Sequence, residues 1–275
     1  VDCSDCPNIS LNVTVTDPST PDVVLTLLDE DNFSLYQDDV LQVIGVGPIQ
    51  NPSTVSLVLA LDWSSSTENV RANIQTAAKT FMDLLADGDE AAICKFNANR
   101  EFNPTTNTFI SGATPDTLKT YIEQPYSGEG TTLYDTIIAC VDRAGSGTKD
   151  KRAVIILCDG VDTASENTLD QAIAYAKFNG IPVFAIFFYD TEYQGGDYGD
   201  PETMQELASE TGGQYYTADT ADLDEIFAWI ANTLSNTYTI NYTAIDPGCT
   251  GTAVIRVHAV SGALEGEASR TVTLD

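Results

Sequence analysis

The chain has 275 residues, of which 41 are acidic and 12 are basic, giving a formal net charge of −29 at pH 7. This charge argues against nucleic acid and anionic membranes as partners, because binding phosphate needs a basic surface. Hydrophobic residues make up 43% of the chain, enough for a globular core, and no apolar run approaches the roughly 20 residues of a membrane span. Since the chain begins at Val1 without a signal-like segment, we expect a mature or trimmed product.

The two ends of the chain carry the same kind of pattern. Residues 1–52 contain short alternating runs such as Leu11–Thr16 and Phe33–Tyr36, and residues 237–275 contain similar runs. Alternation with a period of two predicts half-buried strands. Together the two segments approach the roughly 100 residues of an immunoglobulin-like sandwich. We predict one discontinuous all-β, immunoglobulin-like domain, with a single α/β domain carrying decorated ends as the alternative.

Residues 53–236 instead alternate strands with helices. Buried strands are predicted at residues 55–62, 91–96, 153–158, 182–188 and 214–218. Helices are predicted between them, including residues 167–178 before Gly180 and residues 221–234. This alternation predicts a Rossmann-like α/β domain, a mostly parallel central sheet with helices on both faces. Its insertion into the β-domain is tolerated when the termini of the inserted domain lie close together.

A loop with metal-binding chemistry follows the first of these strands. Asp62, Ser64 and Ser66 place one carboxylate and two alternate hydroxyls directly after the apolar run of residues 55–61. Carboxylate and hydroxyl oxygens are hard ligands that suit Mg²⁺, Mn²⁺ or Ca²⁺ better than zinc. The end of a strand, where a helix begins, is also where open α/β sheets bind ligands.

Two further segments add oxygens of the same kind. Residues 128–135 form a glycine-rich loop that carries Thr131 and Thr132, and Asp159 follows the strand at 153–158. Each segment alone is a weak signal, because turns of these compositions are common. The alternative is that Asp62 and Asp159 cap helices while the hydroxyls satisfy loop amides.

In this order, the three segments resemble the von Willebrand factor A domain with a metal-ion-dependent adhesion site, of the bacterial or archaeal surface-protein type. The resemblance covers residues 53–236, and the flanks look like the leader and trailer of such domains. Thr131 is preferred over Thr132 because the family loop usually reads Gly-Gly-Thr-x-Leu-Tyr-Asp. Ser65 stands where the family often has glycine. The matching positions are Asp62, Ser64, Ser66, Thr131 and Asp159.

The resemblance implies that these five residues hold Mg²⁺, or Mn²⁺ or Ca²⁺, with one coordination position left for a carboxylate of a partner. We therefore expect an extracellular or cell-surface module that adheres to an acidic group of a protein or surface ligand. The alternative is a structural subunit of a surface filament or pilus, in which copies of the chain assemble through the β-domain. Asp135 and Asp162 lie nearby in sequence and are interpreted as helix and turn residues.

An enzyme is not expected. His258 is the only histidine, and it lies in a predicted strand of the β-domain. A nucleophile–histidine pair would have to cross domains, and the ligands for catalytic zinc are lacking.

The six cysteines are too few for a disulfide scaffold. Cys94, Cys140 and Cys158 fall in apolar patterns and are interpreted as buried small hydrophobic residues. A bridge from Cys249 to Cys3 or Cys6 is expected in an oxidising compartment. Four glycosylation sequons, which fit an extracellular surface but also arise by chance, begin at Asn8, Asn12, Asn32 and Asn241.

Overall fold

The structure, a computed structural model, describes residues 2–5, 7–17, 20–25, 28–47, 54–149, 151–188, 199–217, 223–236, 238–244 and 251–274. The chain divides into two compact units, Val1–Ser53 with Asn232–Asp275, and Thr54–Ala231. The larger unit thus lies, in sequence, between the two segments of the smaller one. The predicted boundaries of independently folding domains, 1–52 with 237–275 and 53–236, stay a prediction.

The smaller unit is built from strands. Those of its first segment are β1 (Asp2–Asp5), β2 (Asn8–Val13), β3 (Thr16–Asp17), β4 (Thr20–Val24), β5 (Phe33–Gln37), β6 (Val40–Leu41) and β7 (Ile44–Gly47). The strands that follow in the larger unit are β8 (Val55–Asp62), β9 (Glu90–Phe96), β10 (Arg100–Asn103), β11 (Ile110–Ser111), β12 (Lys151–Cys158), β13 (Val183–Phe187) and β14 (Tyr215–Thr217). The last segment of the chain adds β15 (Tyr238–Thr243), β16 (Gly251–Ser261) and β17 (Leu264–Leu274).

Helices alternate with the strands of the middle segment. They are α1 (Arg71–Leu84), α2 (Asp116–Glu123), α3 (Leu133–Gly145), α4 (Leu169–Phe178), α5 (Pro201–Thr211) and α6 (Leu223–Ser235). Residues at the helix termini determine where several of these helices begin or end. Thr168 and Gln171 form a reciprocal capping box at the start of α4, and Gly212 ends α5 in the left-handed conformation at φ +86°.

The larger unit contains a mostly parallel sheet, as predicted. Its strand order is β10-β9-β8-β12-β13-β14, with β11 also pairing with β9. The strands β9, β8, β12, β13 and β14 run parallel, and β10 and β11 are antiparallel additions. All of β8 is buried, which agrees with a sequence that is apolar except for Ser56 and Asp62 and does not alternate. The α/β fold class predicted from the sequence is confirmed.

Side chains on β8 alternate between the two faces of this sheet. Val58 and Ala60 share a core with residues of α3, α4 and α5. Leu59 points to the opposite face and is fully buried there too. The rings of Phe81 on α1 and Phe227 on α6 stack with centroids 4.6 Å apart. The flanking helices therefore protect the strand from which the candidate metal loop departs.

The smaller unit has two four-stranded sheets, ordered β1-β2-β15-β7 and β17-β16-β5-β6, and a β3-β4 pair. Side chains of both four-stranded sheets share one core that includes Leu11, Leu35, Ile240 and Ile255. The phenol of Tyr242 in this core donates a 2.9 Å hydrogen bond to Gln37 Oε1. Two sheets around one core form a β-sandwich, while its immunoglobulin-like character stays a prediction.

Among the cysteines, Cys94, Cys140 and Cys158 are free and buried, as interpreted from the sequence. Cys6 and Cys249 lie outside the described residues, as does the side chain of Cys3. The terminal disulfide therefore stays a prediction.

Replacing Leu59 with alanine tests the role of β8 in the core. The side chain is fully buried, so Leu59→Ala removes apolar contacts and leaves a cavity, and we expect a loss of about 2–5 kcal/mol in the free energy of unfolding. Urea denaturation measures this change. The control is Leu84→Ala at the end of α1, where the side chain is 42% exposed. Equal losses in the two variants would contradict the central position of β8.

Candidate metal centre

Parallel pairing brings the two candidate carboxylates together. β8 and β12 are neighbours, with Leu61 opposite Leu157 in the register. Asp62 ends one strand and Asp159 follows the other, so both leave the same edge of the sheet. Ligand atoms of Asp62, Cys158 and Asp159 all lie within 4.8 Å of one another, and all three residues are buried.

Asp62 is the most constrained of these residues. Its Oδ1 accepts a 2.8 Å hydrogen bond from the backbone N–H of Ser64, and its Oδ2 accepts a 3.0 Å bond from the thiol of Cys158. Burial, together with the negative charge of Asp159, raises the pKa of Asp62 from 3.8 to about 6. Within the described part of the chain, neither carboxylate forms an ion pair with lysine or arginine.

The loop after β8 brings its two serine hydroxyls side by side. Ser64 Oγ and Ser66 Oγ are 2.9 Å apart, at the start of the 3₁₀ helix Ser65–Val70. The hydroxyl of Thr67 donates 3.0 Å bonds to the carbonyls of Asp62 and Ser64. These bonds hold the loop in a tight turn, so alternate residues present their oxygens close to each other.

Hydrogen bonds connect Thr131 to the loop that follows Asp159. Its carbonyl accepts 3.0 Å bonds from the N–H groups of Thr163 and Ala164, and its own N–H donates to the hydroxyl of Thr163. The hydroxyl of Thr132, in contrast, donates to the carbonyl of Asn97 at 2.8 Å. No described residue forms a hydrogen bond with the hydroxyl of Thr131, which favours Thr131 over Thr132 as a ligand.

The sequence did not predict that the thiol of Cys158 lies beside the candidate metal ligands. The sequence interpretation treated Cys158 as a buried small hydrophobic residue, and it is buried, but it also lies against both carboxylates. Burial and the negative charges of Asp62 and Asp159 raise the pKa of this thiol. The available signal was its position, since Cys158 is the last residue of a strand and directly precedes Asp159.

Two cationic side chains lie against Trp63 and so support the loop after β8. Arg71 donates to the carbonyls of Trp63 and Ser64 at 3.3 and 3.0 Å, and its guanidinium lies 5.7 Å from the centre of the Trp63 ring. The ammonium of Lys95 lies 5.1 Å from the same ring and donates 2.6 Å bonds to the carbonyls of Tyr121 and Gln124. Burial lowers the pKa of Lys95 to about 8. From the sequence, Lys95 was predicted only to lie in the strand at residues 91–96.

The two other carboxylates considered from the sequence, Asp135 and Asp162, have protein partners. The Asp135 carboxylate accepts bonds from the N–H groups of Glu166 and Asn167, and Asp162 accepts from the N–H and hydroxyl of Ser165. Both side chains therefore hold loops.

His258 lies in β16 of the smaller unit, opposite Ser34 on β5 and Glu267 on β17.

The donor set suits a hard divalent cation. Two buried carboxylates repel each other, and the described residues supply no cation to neutralise them. The adjacent serine hydroxyls add neutral oxygens of the type that Mg²⁺, Mn²⁺ and Ca²⁺ accept. The residues present therefore fit a metal of this class.

Comparison with known proteins agrees with this fold. The sequence profile of the von Willebrand factor type A domain matches residues 55–217, more than half of the chain. The chain belongs to the von Willebrand factor type A domain family.

Curated proteins of known sequence match the chain over about two thirds of its length. The chain is 29% identical over 208 residues to a UPF0353 protein of Nocardia farcinica, covering 65% of this chain and 61% of that protein. The chain thus spans about three fifths of the length of this curated relative.

Solved structures share the fold at low identity. A von Willebrand factor type A protein from Catenulispora acidiphila superposes with a TM-score of 0.55 at 16% identity, covering 88% of this chain and 73% of that one. The pilus adhesin SpaC from Lactobacillus rhamnosus GG, in its open conformation, gives 0.53 at 13% identity, covering 96% and 49%. In the described part of this chain, the helices are all too short or too polar to cross a membrane.

The raised pKa of Asp62 predicts a pH dependence in EDTA. A carboxyl group with a higher pKa in the folded state loses stabilisation as it ionises, so its contribution to the free energy of unfolding falls between about pH 4 and pH 6. Asp62→Asn does not titrate there. The stability of this variant relative to wild type should therefore increase over that interval. Urea unfolding at constant ionic strength measures the difference.

The matched control for this experiment is Asp170→Asn, at an exposed position in the first turn of α4. Its stability relative to wild type should change much less with pH. A pH-independent difference between Asp62→Asn and wild type would contradict the burial and repulsion seen at Asp62.

Proposed function

We propose that the protein is an extracellular or cell-surface adhesion module that captures an acidic group of a protein or surface ligand through a divalent cation. The cation would be Mg²⁺, or Mn²⁺ or Ca²⁺, held by Asp62, Ser64, Ser66, Thr131 and Asp159. The single observation that carries this proposal is the pair of buried carboxylates, Asp62 and Asp159, without a basic partner among the described residues.

Each part of the site has a distinct task in this proposal. Asp62 and Asp159 supply the negative charge that attracts the cation, and the serine and threonine hydroxyls complete the ligand set without adding charge. A bound cation supplies electrostatic attraction for a carboxylate of the partner. The two carboxylates balance the charge of a divalent cation, and the coordination position left by the five ligands lets a carboxylate of the partner bind the cation directly.

The proposal includes binding without catalysis. None of the five candidate ligands is a histidine, the usual base of a nucleophile–histidine pair. The proposal also includes a surface location, and one solved structure of the same fold is described as a pilus adhesin.

Metal addition is the direct test. A cation that binds only the folded state raises stability by about 2.7 kcal/mol at 100 times its Kd. We expect Mg²⁺ or Mn²⁺ to raise the melting temperature relative to EDTA, and expect this shift to be lost in Asp62→Ala and strongly reduced in Ser66→Ala. Differential scanning calorimetry measures both.

The matched control is Ser65→Ala, since Ser65 is an exposed serine of the same loop and is not a proposed ligand. This variant should keep the full shift. If millimolar Mg²⁺, Mn²⁺ and Ca²⁺ all leave the wild-type melting temperature unchanged, the metal site is wrong.

The charge of the chain gives a second test. A protein of net charge −29 repels an acidic ligand at long range, and salt screens this repulsion. With Mg²⁺ saturating, the association rate of an acidic partner should rise as NaCl is increased. Surface plasmon resonance across a salt series measures this rate, and a falling rate would contradict an acidic ligand.

A second candidate function is a structural subunit of a surface filament. The observation that favours it is a run of exposed apolar side chains, Val40, Leu41 and Val43, which are 52%, 57% and 86% exposed. They lie where the chain passes from β6, at the edge of one sheet, to β7, at the edge of the other. Sheet edges accept strands from other chains. Assembly that proceeds normally in EDTA, without metal-dependent ligand binding, would favour this function over adhesion.

A further inference from the structure

The strands β2 and β15 of the smaller unit carry uncharged polar side chains on one face. The strands β2 and β15 pair in antiparallel register, with Asn8 opposite Thr243, Ser10 opposite Asn241, and Asn12 opposite Thr239. Alternate residues such as Ile9, Leu11 and Ile240 are buried. On these two strands, the side chains of the other face are all uncharged and polar: Asn8, Ser10, Asn12, Thr239, Asn241 and Thr243. On the neighbouring strand β1, Asp2 is opposite Ser10 and Asp5 is opposite Asn8.

Three acceptor sequences for N-linked sugar coincide with this face. All four Asn-x-Ser/Thr sequons of the chain fall in the smaller unit, and those at Asn8, Asn12 and Asn241 lie on β2 and β15. In the larger unit, Asn103-Pro104-Thr105 has the proline that prevents acceptance. A sequon within a strand places its asparagine and its hydroxyl residue on the same face, because side chains alternate.

The asparagine side chains on this face are exposed and oriented by their neighbours. Asn8 Oδ1 accepts a 3.2 Å bond from the hydroxyl of Thr243, and Asn12 Oδ1 accepts a 3.2 Å bond from the hydroxyl of Thr239. Both bonds use the amide oxygen and leave the amide nitrogen without a partner among the described residues. A cavity of about 610 Å³ opens here, lined by residues 8–10, 43–45 and 241–243.

The fourth sequon provides an internal contrast. Asn32 is half-buried, and its amide nitrogen donates a 2.8 Å bond to the carbonyl of Val260. Its amide oxygen accepts a 2.8 Å bond from the N–H of Asp29, closing the cap of a short 3₁₀ helix. A sugar attached to this nitrogen would replace one of its two N–H bonds and would have to fit among the groups that half-bury Asn32 beside Val260.

We propose that the uncharged β2–β15 face is an N-glycosylated surface, carrying sugar at one or more of Asn8, Asn12 and Asn241 and not at Asn32. In the reaction, the amide nitrogen attacks the anomeric carbon of a sugar linked to a lipid or nucleotide phosphate. The carbon–nitrogen bond forms, the bond to the phosphate oxygen breaks, the amide proton passes to a base of the transferase, and the phosphorylated carrier leaves. The proposal rests on the surface location in the proposed function and is independent of the metal site.

Geometry limits how many sugars the face can carry. Asn8 and Asn12 are four residues apart on one strand, about 13 Å. Asn241 is a diagonal neighbour of both, at about 7–8 Å. Because the first sugar ring fills most of that spacing, a sugar at Asn241 competes with sugars at Asn8 and Asn12.

Mass spectrometry of the protein purified from its own cells tests this proposal, with cytosolic bacterial expression giving the unmodified mass. We expect mass increments of whole sugar residues, assigned by electron-transfer fragmentation to peptides containing Asn8, Asn12 or Asn241. The triple variant Asn8→Gln, Asn12→Gln and Asn241→Gln should lose every increment, and the matched variant Asn32→Gln should keep them all. Chymotrypsin is the suitable protease, since the first lysine or arginine of the chain is Arg71.

An intact mass equal to that of the sequence would overturn the proposal, as would sugar on Asn32 alone or at equal occupancy. A melting-temperature shift with Mg²⁺ in the sugar-free protein would show that the metal site stands even if the glycosylated face is wrong.

Discussion

Two like charges held at the ends of neighbouring parallel strands are the constraint on which the site depends. Asp62 and Asp159 place carboxylate oxygens within 4.8 Å of each other in a buried setting. At an effective dielectric constant of about 20, two unit charges at this distance repel by roughly 3 kcal/mol. The fold tolerates this cost because β8 and β12 are fixed by their neighbours and by helices on the sheet. The arrangement leaves two buried negative charges at the edge of the sheet from which these loops depart.

The loop after β8 is supported by contacts that do not involve the side-chain oxygens of its candidate ligands. Trp63 is almost completely buried, and the cationic groups of Arg71 and Lys95 lie near its ring. Lys95 also holds the carbonyls at the end of α2, so the loop and that helix share one anchor. A buried ammonium without a carboxylate partner is costly, and its lowered pKa reflects that cost. Support of this kind fixes the spacing of Ser64 and Ser66 more tightly than loop composition alone would.

Much of this architecture could be predicted from local patterns. The continuous apolar runs of β8 and β12 predicted the parallel sheet, and the oxygen-bearing residues after them predicted where the candidate ligands would meet. The antiparallel strand β10 (Arg100–Asn103) was not predicted because it is short and largely polar, and its pairing is set by the neighbouring β9. The contact of Cys158 with Asp62 could not be predicted from the sequence either, because a cysteine within an apolar run has the same pattern as any small core residue. The pairing and register of neighbouring strands, which composition does not encode, decided both cases.

The position of β8 also has a mechanical consequence. This strand is hydrogen-bonded in parallel to β9 on one side and to β12 on the other, and the candidate metal loop leaves from its end. Tension between the loop after β8 and the start of this strand acts along the strand axis. The hydrogen bonds on both sides would then be loaded in shear and would have to break together, whereas bonds pulled apart across an open edge break one after another. The sheet is thus arranged to resist tension applied through the loop after β8.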